Sequence, residues 1–284
     1  MSGLHDIQIV TVAYNSTAVI GDMLASVPPE VSVVIVDNAS TDHAALAAIA
    51  ARYGADVITN KTNRGFGAAC NIGAATGSTP YLFFLNPDAA LTTGCLDMLH
   101  AALVANPDAG GASPRVLDGK GRIAFRRRSR LLPKSAHWSG PPPTGDAVVP
   151  LLNGAAMFVP RASFDGIGGF DETIFLYHED DDLSLRLARK YGPLHHIHSA
   201  VVTHAEGSST ARTPATAAFK ARHMAHSAIY AMRKHDRPFP ATRVLAQAAL
   251  QMLSPVNLVS ARKRAKATGF LKGAVQTISA SFHG

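Results

Sequence analysis

A chain of 284 residues with 47% hydrophobic content is able to bury a sizeable core, as one large α/β domain or two small ones, which excludes disorder as its resting state. Its formal charge of +7 is uneven: residues 212–284 hold twelve Lys or Arg against the single acid Asp236, and everything before them is mildly acidic. No stretch is apolar for long enough to span a bilayer; residues 244–261 come nearest and are interrupted by Gln247, Gln251, Pro255 and Asn257.

The first hundred residues alternate in type. Residues 7–14, 31–37, 56–60 and 81–86 are short strand-like runs rich in Val, Ile and aromatics, and 17–27, 42–53, 67–76 and 94–105 are Ala- and Leu-rich and helix-like. That alternation predicts βαβ units and a parallel sheet. Residues 118–150, with Arg126-Arg127-Arg128 and three prolines at 141–143, read as a long surface loop of the kind that carries function. A strand at 152–159 follows, then a turn-rich segment to Phe170, a helix over about 180–190 opened by acids, a strand-like run ending at His204, and helix from 212 onward. Cys70 and Cys95 lack metal spacing and no charged-then-apolar leader stands at the N-terminus, so a reduced, cytoplasmic protein is expected.

Open parallel sheets bind ligands beyond the carboxyl ends of their strands. The polar residues of this chain gather there: Tyr14-Asn15-Ser16, then Asp37-Asn38, then Asn63-Arg64-Gly65, then Asn86-Pro87-Asp88. Ser40 or Thr41 is able to cap the helix after the second strand, but capping has no need of Asp37. A carboxylate at that strand end suits the N3–H of a uracil or thymine ring. Asn86-Pro87-Asp88 reads either as a plain turn or as a strand end whose single full charge, Asp88, binds a divalent cation with oxygen ligands.

The run "HEDDDLSLR" places four acids, Glu179 to Asp182, in a helix's first turn. The helix dipole favours acids there, yet four in succession repel one another and raise some of their own pKa values, which prepares a general base. His204 ends a strand-like run, and His195, His196 and His198 lie close by in sequence. A lone His completing an oxygen-rich metal site fits better than zinc, because no cysteine joins them at a recognised spacing. Gly65 and Gly67 are spaced as the first two glycines of a dinucleotide fingerprint, but Cys70 stands where the third belongs and the motif does not follow the first strand.

In order, "TVAYNS", "VDNASTD", "NRGFGAACNIGA", "LFFLNPDA", "LNGAAMFVPRASFDGIGGFDETIFLYHEDDDLSLR" and "HAEGSS" resemble glycosyltransferase family two, inverting enzymes of the GT-A fold, across about residues 7–210. The "NPD" triplet, the "GGFDE" segment and the basic tail are most similar to its bacterial rhamnosyltransferase branch, which transfers rhamnose from dTDP-rhamnose to N-acetylglucosaminyl-diphospho-polyprenol. The resemblance implies a Rossmann-like, mostly parallel central sheet flanked by helices, with a nucleotide-binding half (1–117), an acceptor and catalytic half (118–210) and a basic helical segment (211–284). It implies nucleotide contacts from Tyr14, Asn15, Asp37, Asn38, Arg64, Asn71 and Asn86. Mg²⁺ or Mn²⁺ is implied on Asp88 and His204, with Asp180 as the catalytic base and Glu179 and Asp182 beside it. Asn86 stands where the family's triplet usually begins with Asp.

For the tail, two placements remain open: a basic face packed on the domain, or an interfacial helix pair on anionic lipid, where a polyprenyl acceptor is met. The expected partners are a nucleotide sugar, a lipid-linked or glycan acceptor and an anionic membrane surface on the inner face of the cytoplasmic membrane, and not nucleic acid. A family-two transferase using a UDP-sugar donor is one alternative; an NAD(P)-dependent oxidoreductase and a non-catalytic membrane adaptor are the alternatives of another class.

Overall fold

Uninterrupted Val, Ile and Phe runs become strands buried on both faces. The structure is a computed structural model describing residues 3–205 and 213–280. Its strands are β1 (Ile7–Ala13), β2 (Ser32–Asp37), β3 (Asp56–Thr59), β4 (Tyr81–Leu85), β5 (Ala89–Leu91), β6 (Gly111–Asp118), β7 (Ala147–Val149), β8 (Ala156–Pro160) and β9 (Leu194–His204). The helices are α1 (Ile20–Ala25), α2 (His43–Arg52), α3 (Phe66–Ala74), α4 (Cys95–Ala105), α5 (Arg161–Gly166), α6 (Glu179–Lys190), α7 (Pro214–Lys234), α8 (Pro240–Met252), α9 (Val256–Val259) and α10 (Ala261–Ala280).

One sheet runs β3-β2-β1-β4-β8-β6-β9-β5, with β7 also on β9. Helical crossovers make β3, β2, β1 and β4 mutually parallel, as expected. Beyond β4 the sheet is mixed: β8 is antiparallel to β4 and β6, β6 and β9 are parallel, and β5 and β7 are antiparallel to β9. The reason is that β8 enters from the long 118–150 segment rather than from a helical crossover.

The period of two divides β1 between two cores. Ile7 and Ile9 pack with α1, α2 and α4, while Val10 and Val12 pack with α3 and the Phe170 ring. A third core joins α7, α8 and α10 to Leu131, Leu151, Ile174 and Leu185 of the preceding residues. Helix α7 starts at Thr213, whose side chain accepts the Thr216 N–H at 3.1 Å, with Pro214 in the first turn. Gly269 and Gly273 let α10 lie backbone to backbone on α7, since a Cβ at either would sit 2.2–2.3 Å from the Arg222 or Ala218 carbonyl oxygen.

The tail packs on the domain through α7, α8 and α10, the segment whose basic and aromatic spacing also suggested an interfacial pair. Apolar side chains are left bare along the tail: Leu253, just past α8, with Leu258 and Val259 of α9, are 80 to 87% exposed, and Phe219 of α7 and Val275 of α10 are about half exposed. Among the described residues no helix is long and apolar enough to cross a membrane.

Candidate active site

The carboxyl ends of β1, β2 and β4 meet on one edge of the sheet. Asp37 ends β2 fully buried; its Oδ1 accepts the Ser40 N–H at 2.9 Å, while Oδ2 is buried without a donor. An acceptor left so costs about 1–3 kcal/mol, which a ligand N–H would recover. Tyr14 is well exposed at the end of β1. Asn15, at a positive φ of 54°, accepts from the Thr41 N–H at 2.9 Å and so ties the two strand ends together.

Asn38 and Asn71, both expected at the nucleotide, brace the loops around it. The Asn38 side chain accepts from the Arg64 N–H and from Asn60, and donates to Asn63 and the Gly65 carbonyl, so all its polar capacity is taken in shaping residues 60–65. Asn71 accepts from the Phe170 N–H at 2.8 Å and donates to the Phe170 carbonyl at 2.9 Å, fixing the "GGFDE" turn against α3. Arg64 is half exposed and pairs with Glu172 at 3.1 Å.

Asn86 leaves β4 with its N–H on the Ala155 carbonyl at 2.9 Å, and a turn brings Asp88 to the start of β5. Antiparallel pairing of β5 with β9 sets Ala89 opposite His204, which delivers the imidazole to its neighbour: His204 Nε2 lies 3.0 Å from Asp88 Oδ1 and 3.4 Å from Asn86 Nδ2. One carboxylate and one imidazole suit Mg²⁺ or Mn²⁺, ions commonly held by one or two protein carboxylates plus substrate phosphates and water. Among the described residues no three or more His, Cys, Asp or Glu cluster as a metal cage. The Glu206–Ser209 part of "HAEGSS" lies outside the described residues.

The four acids opening α6 have four different fates. Glu179 is buried, and burial, then the Asp180 charge, push its carboxyl up to about 8. Asp180 keeps a side chain 19% exposed, 3.6 Å from Arg126; burial and the Asp181 charge raise its pKa while Arg126 pulls it down. Asp181 is buried and accepts from Ser129 Oγ at 2.7 Å and from Arg126, and those partners with His178 outweigh burial and keep it ionised. Asp182 faces away from the cleft, fully buried, with His235 at 2.8 Å, Arg186 at 2.8 Å and Lys234 at 2.9 Å. Burial opposes its ionisation, but these cations and hydrogen bonds bring its carboxyl down to about 2. Asp182 thus clasps the start of α6 to the end of α7.

A cleft of about 660 Å³ brings the end of β4 and the end of β9 together with the start of α6, with Asp180, Glu179, Asn86 and His204 in its wall; Tyr14, Asp37, Arg64 and Asp88 do not line it. Two consecutive residues, Tyr177 and His178, hold positive φ of 68° and 73° just before α6, a strain of the sort that collects at functional sites. Gly154 lies against Asp180: a Cβ there would come within 2.6 Å of Asp180 Oδ2. Residues not singled out from sequence complete the cleft, namely Met224 of α7, Gln247 of α8 and Phe270 of α10. Arg126 was visible as part of a basic run, and its opposite number was the acidic cluster; nothing local linked the two.

The sequence model of glycosyl transferase family 2 matches residues 8–157. The chain belongs to that family. The N-acetylglucosaminyl-diphospho-decaprenol L-rhamnosyltransferase of Mycobacterium tuberculosis strain H37Rv is 30% identical over 215 residues, covering 66% of this chain and 70% of the relative. An uncharacterised glycosyltransferase of the same strain, Rv0539, is 30% identical over 102 residues, or 36% of this chain and 45% of its own length. Among solved structures, the mannosyltransferase PcManGT from Pyrobaculum calidifontis, in complex with GDP-Man and Mn²⁺, superposes with a TM-score of 0.58 at 16% identity, covering 96% of this chain and 87% of that one. Residues 1–349 of S. aureus TarS, in complex with UDP-GlcNAc, give a TM-score of 0.55 at 14% identity over 96% of this chain and 92% of that one. The fold is that of the GT-A glycosyltransferases. This family 2 chain is accordingly a glycosyltransferase, and the oxidoreductase and adaptor alternatives fall away; the glycine motif precedes α3, after β3 rather than after the first strand.

Proposed function

We propose that this glycosyltransferase moves L-rhamnose from dTDP-β-L-rhamnose to a hydroxyl of N-acetylglucosaminyl-diphospho-polyprenol, inverting the anomeric carbon to give an α-L-rhamnoside. Likeness to the mycobacterial rhamnosyltransferase supports the donor and acceptor. The observation that carries the mechanism is Asp180, the one acid of the α6 quartet that is both partly accessible in the cleft and free of a tight clasp. In this reading Asp37 accepts the thymine N3–H and Tyr14 and Arg64 flank the nucleotide. Asp88 and His204 hold the divalent cation, which when bound supplies Lewis-acid stabilisation of the diphosphate leaving group.

Asp180 takes the proton of the acceptor hydroxyl as its oxygen bonds to the anomeric carbon, and the nucleoside diphosphate leaves from the opposite face. A single displacement requires no covalent sugar-enzyme intermediate. Residues 1–117 bind the donor, 118–210 carry the acceptor side and the acids, and 211–284 close the cleft. The protein works as a peripheral enzyme on the inner face of the cytoplasmic membrane, a reading supported by the bare Leu253, Leu258 and Val259 close in sequence to Arg262, Lys263 and Arg264.

Nucleoside diphosphate release across a panel of sugar nucleotides, with Mg²⁺, Mn²⁺ or EDTA and a polyprenyl-linked acceptor, tests the proposal. Metal-dependent release from dTDP-rhamnose alone is expected. Release from a UDP-sugar instead would keep the mechanism and replace the donor, while silence with every donor would overturn the reading.

Two side chains next to Asp180 give further expectations. Arg126 holds the Asp180 pKa down, so Arg126→Gln raises it and moves the acidic limb of the kcat profile to higher pH; an unmoved limb would mean that Asp180 does not govern that limb. Gly154→Val forces Asp180 aside, and a displacement near 1 Å costs about a hundredfold in kcat with the melting temperature little changed. Steady-state kinetics beside thermal unfolding separate that outcome from simple misfolding.

A further inference from the structure

A second cavity, about 640 Å³, lies between the 128–137 segment and the turn from α7 to α8. Its polar lining is almost wholly cationic: Arg128, Arg130, Lys134, Arg237 and Arg243, with His137, and no carboxylate among the lining residues. In a chain where Arg64, Arg126, Arg186 and Lys234 each find an acid, none of these five forms an ion pair among the described residues. Asp236 precedes Arg237 in the chain but does not line the cavity.

Gathering like charges is unfavourable unless something anionic completes it; here Arg130 and Arg237 are half-buried, while Arg128, Lys134 and Arg243 are exposed at the rim. Arg130 shows the cost: burial, then repulsion from Arg243, lower its pKa, and its only side-chain hydrogen bond among the described residues goes to the neutral Gln247 at 2.5 Å. Arg237 Nε is buried with no acceptor. The geometry is a donor set without acceptors, which suits a phosphate-bearing ligand because guanidinium groups bind phosphate oxygens in pairs.

Position narrows the ligand. Arg130 lines this cavity and the catalytic cleft alike, and Gln247, its partner, lines the cleft. An anion here is adjacent to the place where an acceptor sugar meets Asp180. On its outer side the cavity is bounded by Phe239, which is 75% exposed and leads into α8 and the bare residues of α9. An apolar chain, a phosphate group and a sugar thus have successive places.

We propose that this cavity holds the diphosphate of the lipid-linked acceptor, with Arg130 as the wall shared with the catalytic cleft. The assignment rests on the lipid-linked acceptor of the preceding reading, but its test does not depend on the donor. The probe is farnesyl diphosphate, a short-chain prenyl diphosphate that stays in solution, titrated into the full chain. Phosphatidylglycerol-containing vesicles form a second arm.

Arg128→Glu with Arg243→Glu, both at exposed positions, are expected to keep the melting temperature and to weaken farnesyl diphosphate binding about tenfold to a hundredfold, raising acceptor KM with little change in kcat. Unchanged affinity for farnesyl diphosphate would overturn the proposal, even if rhamnosyl transfer were demonstrated. So would a loss confined to the vesicle arm, which would assign the cavity to phospholipid headgroups. If no donor supports transfer, the reading of the reaction fails, and weakened farnesyl diphosphate binding still establishes the phosphate site.

Discussion

Asp180→Asn is expected to lower kcat by about 10²- to 10⁴-fold, the usual worth of a positioned general base, while leaving donor KM close to its starting value. The substitution preserves volume, which matters because Gly154 leaves no slack beside that side chain, and it preserves a polar neighbour for Arg126 at 3.6 Å. It removes only the ability to take a proton. The residual rate should also lose its acidic limb, since burial and the Asp181 charge place the Asp180 pKa above the usual carboxylate range in the native enzyme. A loss seen in acceptor KM alone, with kcat intact, would assign Asp180 to acceptor binding and leave the proton without a base.

The other large effect is on stability. Asp182→Ala removes the shared buried partner of His235, Arg186 and Lys234. Because Lys234 keeps Asp171 at 2.6 Å and Arg186 keeps the Ile167 carbonyl at 3.0 Å, the cost falls at or below the lower end of the roughly 3–5 kcal/mol of a broken buried pair. Because His235 and Lys234 end α7, the loss is expected to loosen α7 and the cleft wall it supplies. Denaturant unfolding of the variant checks it. A variant with native stability and abolished kcat would instead make Asp182 catalytic and reverse the assignment made from its burial.

The same clasp has a pH signature. Its carboxyl is held at about 2 in the folded protein against an ordinary value of 3.8, so the unfolded chain binds this proton more readily. The contribution is therefore complete above the ordinary value and lost as pH falls toward 2. Glu179 acts in the opposite sense. Its carboxyl, near 8 when folded, stabilises below its ordinary pKa and progressively less as pH rises toward 8.

Strands 7–13 and 81–85 and the helix over 179–190 were legible because their evidence is local: period, β-branching and a first turn of acids. The polar strand ends were legible for the same reason, since a parallel sheet sends them all to one edge. Strand β6 was hidden by its Gly, Pro and Arg, and β5 by its three-residue length.

Sequence by itself determined the family's motif order, the parallel half of the sheet, and the candidates Asp37, Asp88, Asp180 and His204. Which acid of the quartet is accessible was decided only by the tertiary structure. Four neighbours with nearly the same chemistry are separated by what reaches them: Arg126 and Ser129 across a long loop, and His235 from a helix more than fifty residues away. The fate of the basic tail was decided the same way. Its composition allows a membrane surface or a protein core; close α7–α10 packing at Gly269 and Gly273 and the Val244 and Ala248 side chains of α8 join those helices to the third core, leaving α9 and the apolar residues beside it bare. Local composition fixes which groups are present. Their protonation and accessibility depend on long-range contacts that no short window of sequence contains.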